Sequence, residues 1–308
     1  MLLVYWTMTA KILRGGREMS DFGAQSMTAA LRRVVVRQPP DALPNADPKI
    51  WNYSAPINLK RAREDHAAFV ALLQSNDVDV LILDDQGTKF PDSVFTHDAS
   101  LVTTAGAVLM RMGKTLRRPE PDLHEAFYRK IGIPILGRIE PPGIMEAGDA
   151  LWVRERTLIL GRGYRTNDEG ARQLARILAP LSVRVMPMDL PYGAGPHSCM
   201  HLLSLISLIA EDLALVHLPT APVRLIQLLE EQGTHILPAP SAEYQSSNTI
   251  SANVLAYAPR KVLMVAGFPK TRLALEQQGC TVTTFPGDEL CLKAEGGPTC
   301  LTRPIFRC

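Results

Sequence analysis

The chain has 308 residues, 46% of them hydrophobic and 21% charged, which is the composition of a globular protein with a substantial core. Its formal net charge is +2, and basic residues are interspersed with acidic ones, so the sequence predicts no nucleic-acid groove and no membrane-binding surface. The five cysteines lack paired metal-ligand spacing, which favours reduced thiols in the cytoplasm and predicts neither a metal site nor a cofactor.

The amino-terminal residues lack the order of charge, apolar run and cleavage site that marks a secretory signal. We predict a mobile arm over residues 1–27 and a single folded domain over residues 28–308, which acts as a monomer or a homodimer. The regular pattern begins with a strand at 31–36. The most apolar later run, 201–218, is interrupted by Glu211 and Asp212, so it predicts two strands and a turn instead of a membrane span.

A module of an amphipathic helix, a polar or glycine stop and a short strand recurs five times. The predicted helix and strand pairs are 59–74 with 78–83, 122–131 with 134–139, 167–178 with 183–186, 223–232 with 235–238, and 270–278 with 281–285. Asn167 or Thr166 caps the clearest helix. Apolar hairpins, such as 150–153 with 157–160 and 254–257 with 261–265, lie between these pairs and make each unit strand, strand, helix, strand.

The units repeat about every fifty residues, which indicates a closed or stacked array of modules in an α/β protein. The alternative is a doubly wound sheet. That fold would need single strands alternating with helices and usually a glycine-rich phosphate loop, and neither pattern is present in the sequence.

Acidic, imidazole or thiol groups occur at equivalent points of four successive units, each just before a strand. They are Asp92 and Asp98, then Glu146, then His201, and finally Cys300. For any one of them a turn cap or a boundary hydrogen bond is an alternative role. Because connections of a radial array converge on its axis, their recurrence favours one shared pocket.

Cys300 follows the turn formed by Gly296, Gly297 and Pro298, after a predicted run of strand. A thiol in a flexible turn suits a nucleophile, whereas a structural cysteine more often lies inside an apolar strand. We expect the two glycines to adopt unusual dihedrals and to let the backbone approach a ligand. An ordinary loop beside a cysteine is the alternative.

Five motifs together resemble the guanidine-modifying, or pentein, superfamily, and within it the dimethylarginine dimethylaminohydrolases. They are Pro-Asp-Ser-Val-Phe-x-x-Asp at 91–98, Glu-x-Gly-Asp at 146–149, Gly-Arg-x-x-Arg-Thr-Asn-x-x-Gly-Ala at 161–171, His-Leu-x-Ser at 201–204 and Gly-Gly-Pro-Thr-Cys at 296–300. The resemblance implies a five-bladed α/β propeller of ββαβ modules with pseudo-fivefold symmetry. It also implies a hydrolase acting on an arginine-like guanidinium.

By this resemblance Cys300 is the nucleophile, His201 the general acid and base, and Glu146 and Asp98 the carboxylates that hold the guanidinium. The residue types suit the chemistry. A guanidinium carbon is a poor electrophile because its charge is delocalised, so carboxylates must fix the planar cation while a thiolate attacks it.

The resemblance also places Asp92 near the substrate's α-amino group, and Arg117 and Arg165 at its α-carboxylate. Arg118 is an alternative to Arg117, since the adjacent pair makes the alignment ambiguous, and solvated surface charges are the alternative for all three arginines. The aromatic segment 51–53 is either part of a lid or ordinary packing.

The predicted reaction converts dimethylarginine or monomethylarginine to citrulline and an alkylamine. An arginine deiminase, an amidinotransferase and a non-catalytic arginine-binding protein are the alternatives. Leu203 is apolar where deiminases usually carry an aspartate, which favours the dimethylarginine branch. His97 and Ala147 depart from the residues common in relatives and leave the substrate open.

Overall fold

The computed structural model describes residues 21–83, 89–196 and 200–308, together with the backbone of two short paired strands, β1 (Leu13–Arg14) and β2 (Arg17–Glu18). Most of the predicted arm, residues 1–20, lies outside the residues described in full. Residues 21–27 belong to the domain, because the amide of Gly23 donates to Ile305 O at 2.7 Å and the amide of Arg307 donates to Gly23 O at 3.0 Å. The domain boundary expected at residue 28 stays a prediction.

Five three-stranded sheets make up the described part of the domain. Their strands are β3 (Leu31–Val36), β4 (Asp79–Ile82), β5 (Ser100–Thr103), β6 (Gly106–Leu109), β7 (Ile135–Arg138), β8 (Ala150–Arg154), β9 (Thr157–Arg162), β10 (Arg184–Asp189), β11 (Ile206–Ala210), β12 (Leu213–Val216), β13 (His235–Pro238), β14 (Leu255–Ala258), β15 (Lys261–Val265), β16 (Thr281–Phe285) and β17 (Arg303–Arg307). The sheet orders are β17-β3-β4, β5-β6-β7, β8-β9-β10, β11-β12-β13 and β14-β15-β16. In each sheet one pair of strands is antiparallel and the other is parallel.

Eight α-helices connect these strands in the described residues. They are α1 (Pro48–Trp51), α2 (Leu59–Ser75), α3 (Glu120–Lys130), α4 (Asp168–Leu178), α5 (Val223–Glu231), α6 (Ser241–Ser246), α7 (Pro269–Gln277) and α8 (Cys291–Ala294). Helices α2, α3, α4, α5 and α7 each join the two parallel strands of one sheet, as a parallel pair requires. The predicted order of strand, strand, helix, strand is confirmed in four units, whereas the first unit has β3, α2 and β4 in chain order and takes its remaining strand, β17, from the end of the chain.

Local signals position the long helices. Asn167 caps α4 by accepting a hydrogen bond from the amide of Gly170 at 2.8 Å, while the apolar stripe at Ala171, Leu174 and Leu178 is buried against the sheet. Helices α3, α5 and α7 each end two residues before a glycine. The φ angles of these glycines, Gly132, Gly233 and Gly279, are 78°, 70° and 76°. Such left-handed backbone suits glycine and ends a helix sharply.

The first sheet closes through the far end of the chain. Strand β17 pairs antiparallel with β3, so residues near both termini of the domain share one sheet, a pairing that the sequence analysis did not predict. The expected strand before Cys300 is also wrong in detail, because the short helix α8 lies between β16 and the turn that carries the thiol.

The apolar run 201–218 forms β11 and β12 around the turn at Glu211 and Asp212, as predicted. Within the described residues, none of the helices has the length and apolar character needed to cross a bilayer.

Candidate active site

The predicted residues from different units converge on one pocket. Asp98, His201 and Cys300 line it, and each lies two to five residues before the first strand of its sheet, β5, β11 and β17 respectively. The pocket also includes Asp92, Arg117 and Arg165 and has about 560 Å³ of space including its open mouth.

Glu146 is hydrogen-bonded to the imidazole of His201. The Nε2 atom of His201 lies 2.8 Å from Glu146 Oε2, and the glutamate side chain is fully buried. Glu146 also accepts from the amide of Lys114 at 2.9 Å and from Arg165 Nη1 at 3.2 Å. Burial raises the pKa of Glu146, but Arg165 and His201 outweigh burial and hold that pKa below its ordinary value. An ionised carboxylate here orients the imidazole through the hydrogen bond to its Nε2 atom.

Asp98 presents a carboxylate with one occupied oxygen and one free oxygen. Its Oδ2 accepts from Arg117 Nη1 at 2.7 Å, whereas its buried Oδ1 has no hydrogen-bond partner among the described residues. A Cβ at Gly148 would lie 2.5 Å from His201 Nδ1 and 2.8 Å from Asp98 Oδ1, so only glycine allows both groups to approach. An unsatisfied carboxylate oxygen beside a pocket is a ready acceptor for a ligand N–H.

The structure distinguishes Arg117 from Arg118. Arg117 is buried and lines the pocket, while Arg118 is exposed. The Nε and Nη2 atoms of Arg117 donate to Glu120 at 3.0 and 2.8 Å, and its Nη2 also donates to Phe95 O at 3.1 Å. Burial raises the pKa of Glu120 to about 7 against the opposing effect of Arg117. Arg117 therefore positions Asp98, and its assignment to the substrate's α-carboxylate stays a prediction.

Sequence analysis missed Glu120, although its spacing offered a signal. Glu120 is the first residue of α3, where an acidic group is favourable, and Arg117 precedes it by three residues.

Cys300 carries a half-buried thiol in the turn before β17. Asn253 contacts it directly, with Nδ2 donating to Cys300 Sγ at 3.2 Å, and the Oδ1 of the same amide accepts from the amide of Thr299 at 3.0 Å. Asn253 precedes β14, the first strand of the fifth unit, so all five units contribute a side chain at the equivalent point. The sequence analysis missed it because it collected acidic, imidazole and thiol groups, and an amide is neutral.

The glycines before Cys300 act differently from the expectation. Neither Gly296 nor Gly297 has a positive φ. A Cβ at Gly296 would lie 2.1 Å from the Phe95 ring, and a Cβ at Gly297 would lie 2.6 Å from Asn253. The glycines therefore allow the turn to pack against protein side chains, which fixes the position of the thiol.

Asp92 lies at the mouth of the pocket among polar and aromatic groups. It accepts from Tyr53 Oη at 2.5 Å and from Lys114 Nζ at 2.6 Å. Burial and the charge of Asp92 raise the pKa of Tyr53, which keeps this hydroxyl protonated as a donor. Lys114 Nζ is also 4.7 Å from the centroid of Trp51, a cation–π contact, and Trp51 lines the mouth. Segment 51–53 thus borders the pocket, and Lys114 is a further charged residue that the motifs did not indicate.

One group of side chains among the described residues has the types and spacing of metal ligands. Ligand atoms of Asp98, Glu146 and His201 lie within 4.8 Å of one another. Arg117 and Arg165 already donate to these two carboxylates, and their positive charges oppose a metal ion at the same point. A flat organic cation that brings its own N–H donors fits the arrangement better.

Comparisons with known proteins agree with this geometry. A family model described as "N,N dimethylarginine dimethylhydrolase, eukaryotic" matches residues 37–307. The chain is 30% identical over 273 residues to the N(G),N(G)-dimethylarginine dimethylaminohydrolase of Pseudomonas aeruginosa, covering 88% of this chain and 98% of that protein. It is 25% identical over 258 residues to an arginine deiminase of Listeria welshimeri, covering 70% of this chain and 62% of that protein.

A solved structure supports the same assignment. A cysteine-to-serine mutant of dimethylarginine dimethylaminohydrolase from Pseudomonas aeruginosa, complexed with citrulline, is similar with a TM-score of 0.72 at 26% identity. The match covers 90% of this chain and 100% of that one. The chain therefore belongs to the dimethylarginine dimethylaminohydrolase family of the guanidine-modifying superfamily and is an amidine hydrolase of that type.

Proposed function

We propose that the protein hydrolyses a C–N bond of an N-methylated arginine and releases citrulline and an alkylamine through a covalent intermediate on Cys300. One observation carries the proposal. A single pocket brings together the thiol of Cys300, the His201 imidazole bound to a buried glutamate, and the unpartnered Oδ1 of Asp98.

The substrate guanidinium is held as a flat cation between carboxylates. Asp98 Oδ1 accepts one of its N–H groups and Glu146 accepts another, with charge-assisted bonds that are stronger than neutral ones. The substrate's α-amino group is assigned to Asp92, and its α-carboxylate to Arg165 with Arg117. The lining of the pocket supports these assignments, because it includes Asp92, Asp98, Arg117 and Arg165.

The reaction begins when the sulfur of Cys300 attacks the central guanidinium carbon and forms a tetrahedral adduct. His201 donates a proton to the departing nitrogen, the C–N bond breaks, and the alkylamine leaves an S-linked thiouronium. A water molecule, deprotonated by His201, then attacks the same carbon. The C–S bond breaks, citrulline is released, and the thiol and imidazole return to their initial protonation states. Asn253, which donates to the sulfur, would stabilise it as a thiolate before attack.

The proposed architecture for this chemistry is a five-bladed α/β propeller with pseudo-fivefold symmetry, formed by a single domain. Two observations support it. Strand β17 joins the last part of the chain to the first sheet, and the five equivalent points before β5, β8, β11, β14 and β17 supply the groups around one pocket.

We also propose that the protein is cytoplasmic. Its partner is a small-molecule guanidinium substrate, and it binds neither nucleic acid nor a membrane. Among the described residues, Cys280, Cys291, Cys300 and Cys308 form no disulfide, and a catalytic thiol needs a reducing compartment to stay reduced. The monomer or homodimer expected from the sequence stays a prediction.

A panel of substrates tests this function. The protein is incubated separately with asymmetric dimethylarginine, monomethylarginine, arginine and agmatine, and both the ureido product and the released amine are measured. We expect citrulline with dimethylamine or methylamine. Citrulline with ammonia from arginine alone would indicate a deiminase, and no product from any of the four would contradict a guanidinium hydrolase.

Adding an acceptor amine distinguishes the proposed hydrolase from an amidinotransferase. With glycine or lysine present, a transferase would form a new guanidino compound in place of citrulline. We expect the citrulline yield to be unchanged, because water is the acceptor in the proposed reaction.

A further inference from the structure

A second cavity lies directly behind the active-site pocket. It is lined on one side by His97, Leu203, Val254 and Thr299. Each of these residues is adjacent in sequence to one that lines the active site, namely Asp98, Ser204, Asn253 and Cys300. The two cavities therefore lie back to back, separated by a single layer of backbone. On its other side the second cavity is bordered by Ser26, Met27 and β17.

Two arginines of β17 line this cavity. Arg303 and Arg307 are 3% and 7% exposed. Arg307 donates from its two terminal nitrogens to the backbone oxygens of Ala29 and Ala256, and Arg303 donates from Nη2 to the backbone oxygen of His97. The Nε atoms of both arginines are buried and have no hydrogen-bond partner among the described residues.

The residues that line this cavity include no aspartate or glutamate. Arg307 also borders a neighbouring cavity that contains Glu155 and Glu211, but neither arginine forms an ion pair with a carboxylate of the described residues. The Tyr128 hydroxyl and the Asp98 carboxylate act on Arg303 from a distance, and Asp98 is already bound to Arg117. Burial lowers the pKa of Arg303 to about 10 and that of Arg307 to about 9, so both guanidinium groups stay charged at neutral pH.

Such an arrangement is costly without a counter-ion. Buried charges in proteins are normally paired, because neutral carbonyl partners do not replace the hydration that a guanidinium loses. A third donor, Nε1 of Trp152, is also buried beside the same cavity without a partner among the described residues. Three buried N–H groups without a partner among the described residues, and two positive charges, thus belong to residues that line a cavity without an aspartate or glutamate.

We infer that this cavity binds one small inorganic anion, of the size of chloride, between Arg303 and Arg307. The donors favour a small monovalent anion over phosphate. The lining hydroxyls of Ser207 and Thr302 already donate to the backbone oxygens of Ala252 and Pro298, and much of the remaining surface is apolar. A multiply charged oxyanion would therefore keep unsatisfied oxygens and lose more hydration than a halide. The site is independent of the proposed reaction.

Thermal unfolding tests the inference. The intact protein is unfolded in sodium chloride and in sodium gluconate of equal ionic strength, because gluconate is too large for the cavity. An anion bound to the folded state raises the midpoint in proportion to the logarithm of its concentration above the dissociation constant. We expect a midpoint a few degrees higher in chloride.

Three variants make the test specific. Arg307→Met removes one cavity charge at similar length and should abolish the chloride dependence. Trp152→Phe keeps the apolar shape, removes one N–H donor and should weaken chloride binding several-fold, which keeps the test valid if Arg307→Met does not fold. Arg224→Met, at an exposed arginine paired with Glu231, is the matched control and should keep the wild-type response. Equal chloride dependence in wild type, Trp152→Phe and Arg224→Met would overturn the inference.

A crystal soaked in sodium bromide provides the direct observation. We expect an anomalous peak within hydrogen-bond distance of Arg303 Nε and Arg307 Nε in wild-type crystals and none in Arg307→Met. A wild-type map without that peak would exclude the site, and a peak without any chloride effect on unfolding would reduce it to binding at crystal concentration only.

Discussion

The two cavities on either side of the central backbone layer differ in the acidic groups that they contain. The candidate active-site pocket has Asp92 and Asp98 beside Lys114, Arg117 and Arg165, whereas the cavity behind it contains arginines without carboxylates. Adjacent residues supply both, as with Asp98 in front and His97 behind. Because the side chains of neighbouring residues in a turn leave the backbone in different directions, one short segment can line two sites of different character.

The pocket differs from the cavity in a second way, since it balances its own charges. Arg117 and Arg165 hold the carboxylates in place and leave one oxygen of Asp98 for a ligand. This balance explains how several buried charges coexist at the active site, and it indicates which variants should affect chemistry, binding or stability.

The largest effect is expected from Cys300→Ser, because a serine hydroxyl lacks the nucleophilicity of a thiolate. Turnover of methylated arginine should fall by at least about 10³-fold, while the affinity for substrate, measured by calorimetry, is retained. Cys308→Ser, at an exposed thiol, is the control and should keep full activity. Retained turnover in Cys300→Ser would assign the pocket to binding without covalent chemistry.

His201→Ala should reduce turnover by roughly 10²–10⁴-fold, because both the leaving amine and the attacking water lose their proton-transfer group. Alkylation of Cys300 by a haloacetamidine, followed by mass spectrometry, should still occur at a reduced rate. His235→Ala, at an exposed histidine, should behave like wild type. Full activity of His201→Ala would remove the role assigned to the imidazole.

Arg117→Met should destabilise the protein by about 3–5 kcal/mol, since it leaves the carboxylates of Glu120 and Asp98 buried without their partner. The free energy of unfolding from denaturant titration measures the change. Arg118→Met, at the exposed neighbour, should shift it by less than about 0.5 kcal/mol. Similar losses in both variants would contradict the distinction between the two arginines.

The pH dependence of stability tests the buried carboxyl of Asp149, which accepts from the amide of Leu202 at 2.9 Å and so supports the segment after His201. Burial raises the pKa of Asp149 from 3.8 to about 6. The folded state therefore binds this proton more tightly, so the contribution to stability is present below pH 4 and is lost as the pH rises through 6. Relative to Asp149→Asn, wild type should lose up to roughly 3 kcal/mol of unfolding free energy between pH 4 and pH 7. If the unfolding free energies of wild type and Asp149→Asn changed equally with pH, the pKa of this carboxyl would not be raised in the folded state.

Asp98→Asn should have the smallest effect on rate, about 10–100-fold in kcat/KM and mainly through KM, because it replaces a charge-assisted hydrogen bond to the guanidinium by a neutral one. Steady-state kinetics on methylated arginine measure it. Asp122→Asn, at an exposed carboxylate of α3, is the control. An unchanged KM in Asp98→Asn would mean that its free oxygen does not contact the substrate.

Much of the fold could be predicted from the pattern. Helix periodicity and stops at residues such as Gly132 and Gly233 predict the five helices and the strands that follow, because these signals depend on neighbouring residues alone. The pairing of β17 with β3 could not be predicted in this way, since it joins segments about 270 residues apart that carry no local signal of each other.

For the site, the sequence by itself determined the chemical types: a thiol, an imidazole and carboxylates before successive strands, in the order of a known family. Only the tertiary structure decided their surroundings, including the contact of Asn253 with Cys300, the pairing of Arg117 with Glu120, and the two arginines behind the active site. The physical reason is that burial and charge pairing depend on which distant segments meet. A residue type determines what a side chain can do, and its packed neighbours determine whether it is ionised, oriented and available.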